Sequence, residues 1–138
     1  MKKRILSLLL ALVMVLTILP TVALAEGAPT MSGTCGASGN ENNVKWELTD
    51  VDGDGKYTLT ISGTGAMKNF TVNSKNDDRP WKDFISSITK GVVAQGVTNV
   101  GDRSFYNCSS MTSVELTDGI ILITGGAFEN CTSLTSLT

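Results

Sequence analysis

The chain has 138 residues, of which 11 are Lys or Arg and 13 are Asp or Glu, and it contains no histidine. Its small net negative charge argues against nucleic acid and against an anionic membrane surface as partners. The lack of histidine excludes Ser-His-Asp and Cys-His catalytic arrangements and zinc sites built on histidine. Since no other combination of residues supports catalysis, we predict that the protein is not an enzyme and has no cofactor.

The first residues have the pattern of a targeting segment. A basic start at residues 2–4 precedes an apolar run from Ile5 to Leu19, and a small-residue cleavage site ends at Ala25. This pattern predicts a secretory signal peptide over residues 1–25. A membrane anchor is the alternative, but the run is short, is interrupted by Pro20 and lacks a basic stop-transfer flank. We therefore expect a secreted or cell-surface protein with no membrane span once the signal peptide is removed.

Two alternating stretches follow within a region rich in Gly, Asn, Thr and Asp. "NVKWELTD" and "KYTLTISG" place an apolar residue at every second position. Alternation on both sides of a Gly-Asp turn predicts a β-hairpin with one buried face. We expect that face to carry Val44, Trp46, Leu48, Tyr57, Leu59 and Ile61. The later stretch "NSKNDDRPW" is predicted to be a solvated polar loop.

The hairpin turn imitates a calcium-binding loop. Asp50, Asp52 and Asp54 occupy alternate positions, and Gly55 stands at the sixth position of the loop. The twelfth position holds Ile61, where a calcium loop needs a bidentate acid, and the flanking residues alternate as strands rather than forming helices. We predict no metal site and a turn whose aspartates face solvent. Weak calcium binding by these three carboxylates is the alternative.

The C-terminal part of the chain repeats itself with a shift of 23 residues. Residues 97–116 align with residues 120–138, and the stretch "FISSITKGVV" before them aligns as a degenerate copy. One such coil cannot bury its own apolar face, whereas stacked coils place equivalent side chains in columns. The matched structural positions are Phe105 with Phe128, Asn107 with Asn130, and Cys108 with Cys131.

These columns have chemical consequences. We expect the two phenylalanines to form one such column and the two asparagines to hydrogen-bond the backbone between coils. The two cysteines are predicted to be small buried packing residues, because two thiolates do not complete a metal site, and a disulfide between them stays open. Cys35, outside the repeat, is either a third buried thiol or a reactive one.

The repeat resembles the BspA-like leucine-rich repeats of bacterial surface proteins, whose unit is roughly "I-G-x-x-A-F-x-x-C-x-S-L-x-S-I-x-I-P". The first copy matches this unit at Val100-Gly101, Ser104-Phe105, Cys108, Ser110-Met111, Ser113-Val114 and Leu116. The second copy matches at Ala127-Phe128, Cys131 and Ser133-Leu134. The resemblance implies a mainly β leucine-rich repeat solenoid over residues 81–138, with one degenerate, one complete and one truncated repeat.

The region before the repeats resembles the segment that precedes such repeats in many surface proteins. The matching stretches are Gly33-Thr34-Cys35-Gly36, Trp46-Glu47-Leu48, Leu59 to Met67 and Pro80-Trp81. We predict that residues 26–80 form a β-rich capping region, because the first coil would otherwise expose its apolar end and its strand edge. Trp46, Tyr57 and Trp81 are the side chains expected to cover that end. A separate ligand-binding role for this hairpin is the alternative.

The resemblance implies a protein that binds a protein ligand, on the cell surface or on a host, in adhesion or protein-protein contact. The outward residues of the predicted strands are the candidate binding face: Lys90, Val92, Ser113, Glu115, Ser136 and Thr138. The alternative is a repeat spacer or targeting arm of a larger secreted enzyme or carbohydrate-binding protein. Because Leu116 predicts an apolar residue at position 139, we expect the repeats to continue past residue 138.

Overall fold

The structure is a computed structural model that describes residues 30–138, so the predicted signal peptide at residues 1–25 lies outside the described residues. The described part is built mainly from strands, with one short 3-10 helix at Lys82–Ser87. This confirms the predicted mainly-β class. Its strands are β1 (Met31–Thr34), β2 (Val44–Thr49), β3 (Tyr57–Gly63), β4 (Gly65–Ala66), β5 (Ile88–Val93), β6 (Val97–Val100), β7 (Ser113–Leu116), β8 (Leu122–Ile123) and β9 (Ser136–Leu137).

The strands form two sheets. The larger sheet has the order β1-β2-β3-β5-β7-β9, and the smaller has the order β4-β6-β8. Strands β1, β2 and β3 pair antiparallel, whereas β3, β5, β7 and β9 pair parallel. The chain thus passes from the larger to the smaller sheet after β3, after β5 and after β7. Equivalent contacts recur 23 residues apart, since Thr112 Oγ1 donates to the carbonyl of Thr89 and Thr135 Oγ1 donates to that of Thr112.

The predicted hairpin is present as β2 and β3. Trp46 pairs with Ile61 and Leu48 pairs with Leu59, so the apolar residues of both strands lie on one face. Those four side chains are buried. In the region before the repeats the prediction missed β1 and β4, because Ser and Gly make up half of the four-residue β1 and because β4 has only two residues. Strand β4 is defined by its parallel pairing with β6, which local sequence does not reveal.

One apolar core runs through the hairpin region and the repeats. Trp81 is fully buried at its centre, and its ring meets the edges of Trp46 and Phe70 at centroid distances of 5.8 Å and 5.2 Å. Tyr57 is only half-buried and packs against Phe84, with ring centroids 5.2 Å apart. Aromatic pairs of this edge-on kind add about 0.5–1.5 kcal/mol beyond their burial.

The acidic turn differs from its prediction at Asp50. This side chain is only 5% exposed, whereas Asp52 and Asp54 are exposed. Its carboxylate accepts hydrogen bonds from the backbone amides of Gly53 at 2.8 Å, Asp54 at 3.2 Å and Gly55 at 2.9 Å. The prediction that all three aspartates face solvent is therefore wrong for Asp50. Both glycines have positive φ, which lets the turn direct these amides at the carboxylate.

The polar stretch before the repeats also differs from its prediction. Arg79 is only 2% exposed, and its guanidinium binds both carboxylate oxygens of Asp77. The same guanidinium donates to the backbone carbonyl of Tyr106 at 2.6 Å, and Trp81 Nε1 donates to that of Ser104 at 3.0 Å. We call Asp77, Arg79 and Trp81, with these carbonyls, the Arg79 clamp. Residues 73–76 are exposed as predicted, but the prediction of a solvated loop is wrong for Arg79, because the clamp satisfies main-chain acceptors inside the repeats.

Candidate binding face

The predicted binding residues lie on three neighbouring parallel strands of the larger sheet. Lys90 on β5 pairs with Ser113 on β7, and Ser113 pairs with Ser136 on β9. Val92 pairs with Glu115 in the next outward position. Residues paired across a sheet point to the same side of it, so these side chains share one surface. The structure therefore brings the predicted residues of the strands together on the side opposite the buried residues Val93 and Val114.

Accessibility differs along this surface. Lys90, Val92 and Ser113 are half-buried, whereas Glu115 and Ser136 are exposed. Thr138, which directly follows β9, is also exposed, and its carbonyl accepts a hydrogen bond from the amide of Leu116 at 2.6 Å.

One ion pair crosses the face. Lys90 Nζ lies 2.6 Å from Glu115 Oε1, and the two side chains are 40% and 51% exposed. A pair this exposed contributes about 0–1 kcal/mol to folding. Its chief effect is to set the position of two opposite charges in the middle of the surface.

The same surface continues over the hairpin region, which the sequence analysis did not predict. One row of paired residues crosses five strands of the sheet, from Ser32 through Glu47, Thr60 and Val92 to Glu115. The alternation of "VKWELT" already indicates that Glu47 points away from the core. It does not indicate that β3 pairs with β5, and that parallel pairing joins the two parts of the surface.

The outward side chains define what this surface can do chemically. Across the described strands of the larger sheet they are serines and threonines together with Lys45, Glu47, Lys90, Val92 and Glu115. These groups can donate and accept hydrogen bonds and form ion pairs. No group of three or more Cys, Asp or Glu residues within residues 30–138 is arranged to hold a metal ion.

The matched repeat positions form contacts between successive copies. The rings of Phe105 and Phe128 stack with centroids 5.0 Å apart and planes 10° apart. Asn130 Nδ2 donates to Asn107 Oδ1 at 2.9 Å, and the backbone amide of Asn107 donates to the carbonyl of Glu129. Because their side chains bond each other, the expectation that these asparagines bond the backbone between coils is wrong. Both have φ near 61°, a left-handed conformation that asparagine tolerates better than most residues.

The three cysteines are free thiols in the structure. Burial raises the pKa values of the Cys35 and Cys108 thiols to about 12. Cys131 is half-buried, and burial raises its pKa as well, while its Sγ donates to the carbonyl of Phe105 at 3.0 Å. Thiols held in the protonated form react slowly.

Comparison with known proteins agrees with this architecture. Residues 83–138 match the family model described as the BspA type leucine-rich repeat region (6 copies). This segment is therefore similar to leucine-rich repeat regions, and more particularly to those of the BspA type. The curated proteins contain no significant match to the chain. Within residues 30–138, no helix is long and apolar enough to cross a membrane.

Two solved structures resemble the chain. A leucine-rich repeat protein from Eubacterium ventriosum is 36% identical with a TM-score of 0.61, and the match covers 78% of this chain and 26% of that one. A leucine-rich cell surface protein from Faecalibacterium prausnitzii is 21% identical with a TM-score of 0.38, covering 81% of this chain and 31% of that one. The chain thus spans less than a third of the length of either protein.

Proposed function

We propose that this is an exported, non-catalytic leucine-rich repeat protein that binds a protein partner, in contact or adhesion, at the bacterial cell surface. The observation that carries the proposal is the set of outward residues paired across β5, β7 and β9. A row of side chains on a regular sheet presents a rigid surface, and repeat proteins use such surfaces for binding. The residues assigned to binding are Lys90, Val92, Ser113, Glu115, Ser136 and Thr138.

The architecture that accompanies this function is a 23-residue repeat solenoid over residues 81–138, preceded by a cap over residues 26–80 and a signal peptide over residues 1–25. Contacts that recur 23 residues apart support the repeat. The contact between the buried rings of Trp46 and Trp81 supports a cap, because it joins β2 to the residue at which the proposed repeats begin. The basic and apolar pattern before Ala25 supports export.

The chemistry of the face suits a protein partner. Lys90 and Glu115 present opposite charges 2.6 Å apart, so a partner gains contacts to both only if its own charges are placed to match. The surrounding hydroxyls of Ser113 and Ser136 bond either backbone or side chains of a partner. Val92, half-buried at the centre of the row, supplies a small apolar contact.

A charge-reversal experiment tests the proposal. Cells displaying the protein are assayed for attachment to immobilised host and bacterial surface proteins, and protease treatment of intact cells measures surface exposure. We expect Glu115→Lys to reduce attachment at least tenfold, because it places two like charges side by side on the face. Glu129→Lys is the matched control, since Glu129 pairs with Arg103 outside the face.

The outcome separates binding from a spacer role. If the repeats are only a spacer or targeting arm, Glu115→Lys and Glu129→Lys leave attachment equally unchanged, and the binding proposal fails. Protection of the protein from protease on intact cells contradicts surface exposure. Glu115 and Glu129 are both exposed to solvent, so neither substitution should unfold the protein. Urea denaturation of each purified variant checks this.

A further inference from the structure

We infer that the binding face extends over β2, where it recognises an extended polypeptide segment carrying one acidic and one basic side chain two residues apart. This inference rests on the proposed function, and it adds a second contact region and the chemistry of its ligand. The region lies in the part of the chain that was predicted to cap the repeats, with a separate ligand-binding role as the alternative. Its specificity is assigned to Lys45 and Glu47.

An open depression lies on the outward side of β1, β2 and β3. It is lined by Ser32, Thr34, Lys45, Glu47 and Ser62, together with Gly33 and Trp46. Strand pairing places three of the hydroxyls directly beside the two charges. Ser32 lies opposite Glu47, Thr34 lies opposite Lys45, and Ser62 lies on the other side of Lys45. The depression therefore combines an ammonium group, a carboxylate and three groups that both donate and accept hydrogen bonds.

The two charges of the depression are available to a ligand. Lys45 and Glu47 are exposed, and within residues 30–138 neither forms an ion pair, unlike Lys90 and Glu115 further along the same face. A charged group without a partner gains more from an approaching opposite charge than one already paired. The free charges of the larger sheet's outward side are thus concentrated on β2.

The spacing of these charges selects an extended polypeptide. Lys45 and Glu47 are two residues apart on one strand, so they project to the same side about 6.6–6.8 Å apart along it. A partner segment in β conformation has the same spacing between its own alternate side chains. When it lies along β2, an acidic residue meets Lys45 and the basic residue two positions away meets Glu47. Reversing the direction of the segment exchanges the order, so either order of the two charges fits.

Other ligand classes fit the depression less well. A sugar is usually held by stacking on an aromatic ring, but Trp46 is only 9% exposed and its ring packs inward on Trp81. Nucleic acid requires an excess of positive charge, and this depression has one charge of each sign. A mixed-charge polypeptide matches both the charge balance and the strand period.

The test uses the full chain and four immobilised peptides. Each peptide is a Thr-rich extended sequence with a central Asp-Thr-Lys, Lys-Thr-Asp, Asp-Thr-Asp or Lys-Thr-Lys. We expect the unaltered protein to be retained at least fivefold more on the two mixed-charge peptides than on the like-charged ones. Lys45→Glu leaves two carboxylates on β2 and is expected to switch the preference to Lys-Thr-Lys. Glu47→Lys leaves two ammonium groups and is expected to switch it to Asp-Thr-Asp.

Two control variants make the same charge changes elsewhere. Lys56→Glu alters the turn, and Glu129→Lys alters the repeat away from the face, so both should retain the preference for mixed charges. The inference is overturned if none of the peptides retains the unaltered protein, if all four retain it equally, or if the β2 variants behave like these controls. If Glu115→Lys reduces attachment but Lys45→Glu and Glu47→Lys do not switch the peptide preference, the proposed function stands and only this extension is removed.

Discussion

The Arg79 clamp gives the most direct prediction about stability. Asp77→Ala removes the carboxylate that bonds the guanidinium of Arg79, whose side chain is 1% exposed. Removing one partner of a buried ion pair costs about 3–5 kcal/mol, because the remaining charge is left without compensation. Asp77 is itself 24% exposed, so water reaches part of the pair. The bond from Arg79 to the carbonyl of Tyr106 also remains.

We therefore expect Asp77→Ala to lower the free energy of unfolding by about 2–3 kcal/mol. Urea denaturation followed by tryptophan fluorescence measures this change, because Trp81 is buried within the clamp. With a denaturant dependence of roughly 1–3 kcal/mol per M, the midpoint should fall by about 0.7–3 M. Asp52→Ala is the matched control, since it removes an exposed carboxylate. Equal midpoints for the two variants would refute the argument that the ion pair of the Arg79 clamp stabilises the fold.

Four further outcomes are expected. Hydrogen bonding to Arg79 holds the pKa of Asp77 below its ordinary value. The stability that this carboxylate contributes is therefore present above about pH 4 and is lost as the pH falls through the lowered pKa of the folded protein. Asp77→Asn should weaken this acid dependence in denaturation curves. Asp50→Ala should destabilise the protein by about 1–3 kcal/mol, because it removes the acceptor of three backbone amides. Added calcium should change the melting temperature of neither the unaltered protein nor this variant. Phe105→Ala should cost about 3–5 kcal/mol in urea denaturation through the cavity it leaves, and a cost below 1 kcal/mol would contradict full burial of the ring. A thiol reagent at pH 8 should label Cys35 and Cys108 only slowly until urea unfolds the protein, because both thiols stay protonated, and fast labelling of either in the native state would contradict their burial.

Local patterns were sufficient for the elements whose apolar faces are regular. Alternation at Trp46, Leu48, Leu59 and Ile61 predicted the hairpin, because a strand exposes successive side chains on opposite faces. The 23-residue match predicted which residues of successive copies would meet, and Phe105 and Phe128 do stack. These features depend on spacing along the chain, which the sequence contains.

Local patterns failed where a polar residue is satisfied by groups distant in the chain. The sequence around Arg79 has the composition of a loop, yet its guanidinium is buried because it binds a carbonyl of Tyr106, 27 residues further on. The prediction that Asp50 is exposed failed for a related reason, since the burial of its side chain depends on how the turn orients three backbone amides. Composition predicts exposure only when a polar group has no better partner than water.

The sequence by itself determined that this is a mainly-β chain with an alternating hairpin, followed by a segment that matches the BspA type leucine-rich repeat model. Only the tertiary structure decided that β3 pairs parallel with β5, so that Glu47 of the hairpin region and Glu115 of the repeats lie in one row. The physical reason is that periodicity specifies which side chains a strand buries, whereas its neighbour in the sheet depends on packing of the whole core. The extent of the candidate face, and the place of Lys45 and Glu47 within it, follow from that pairing.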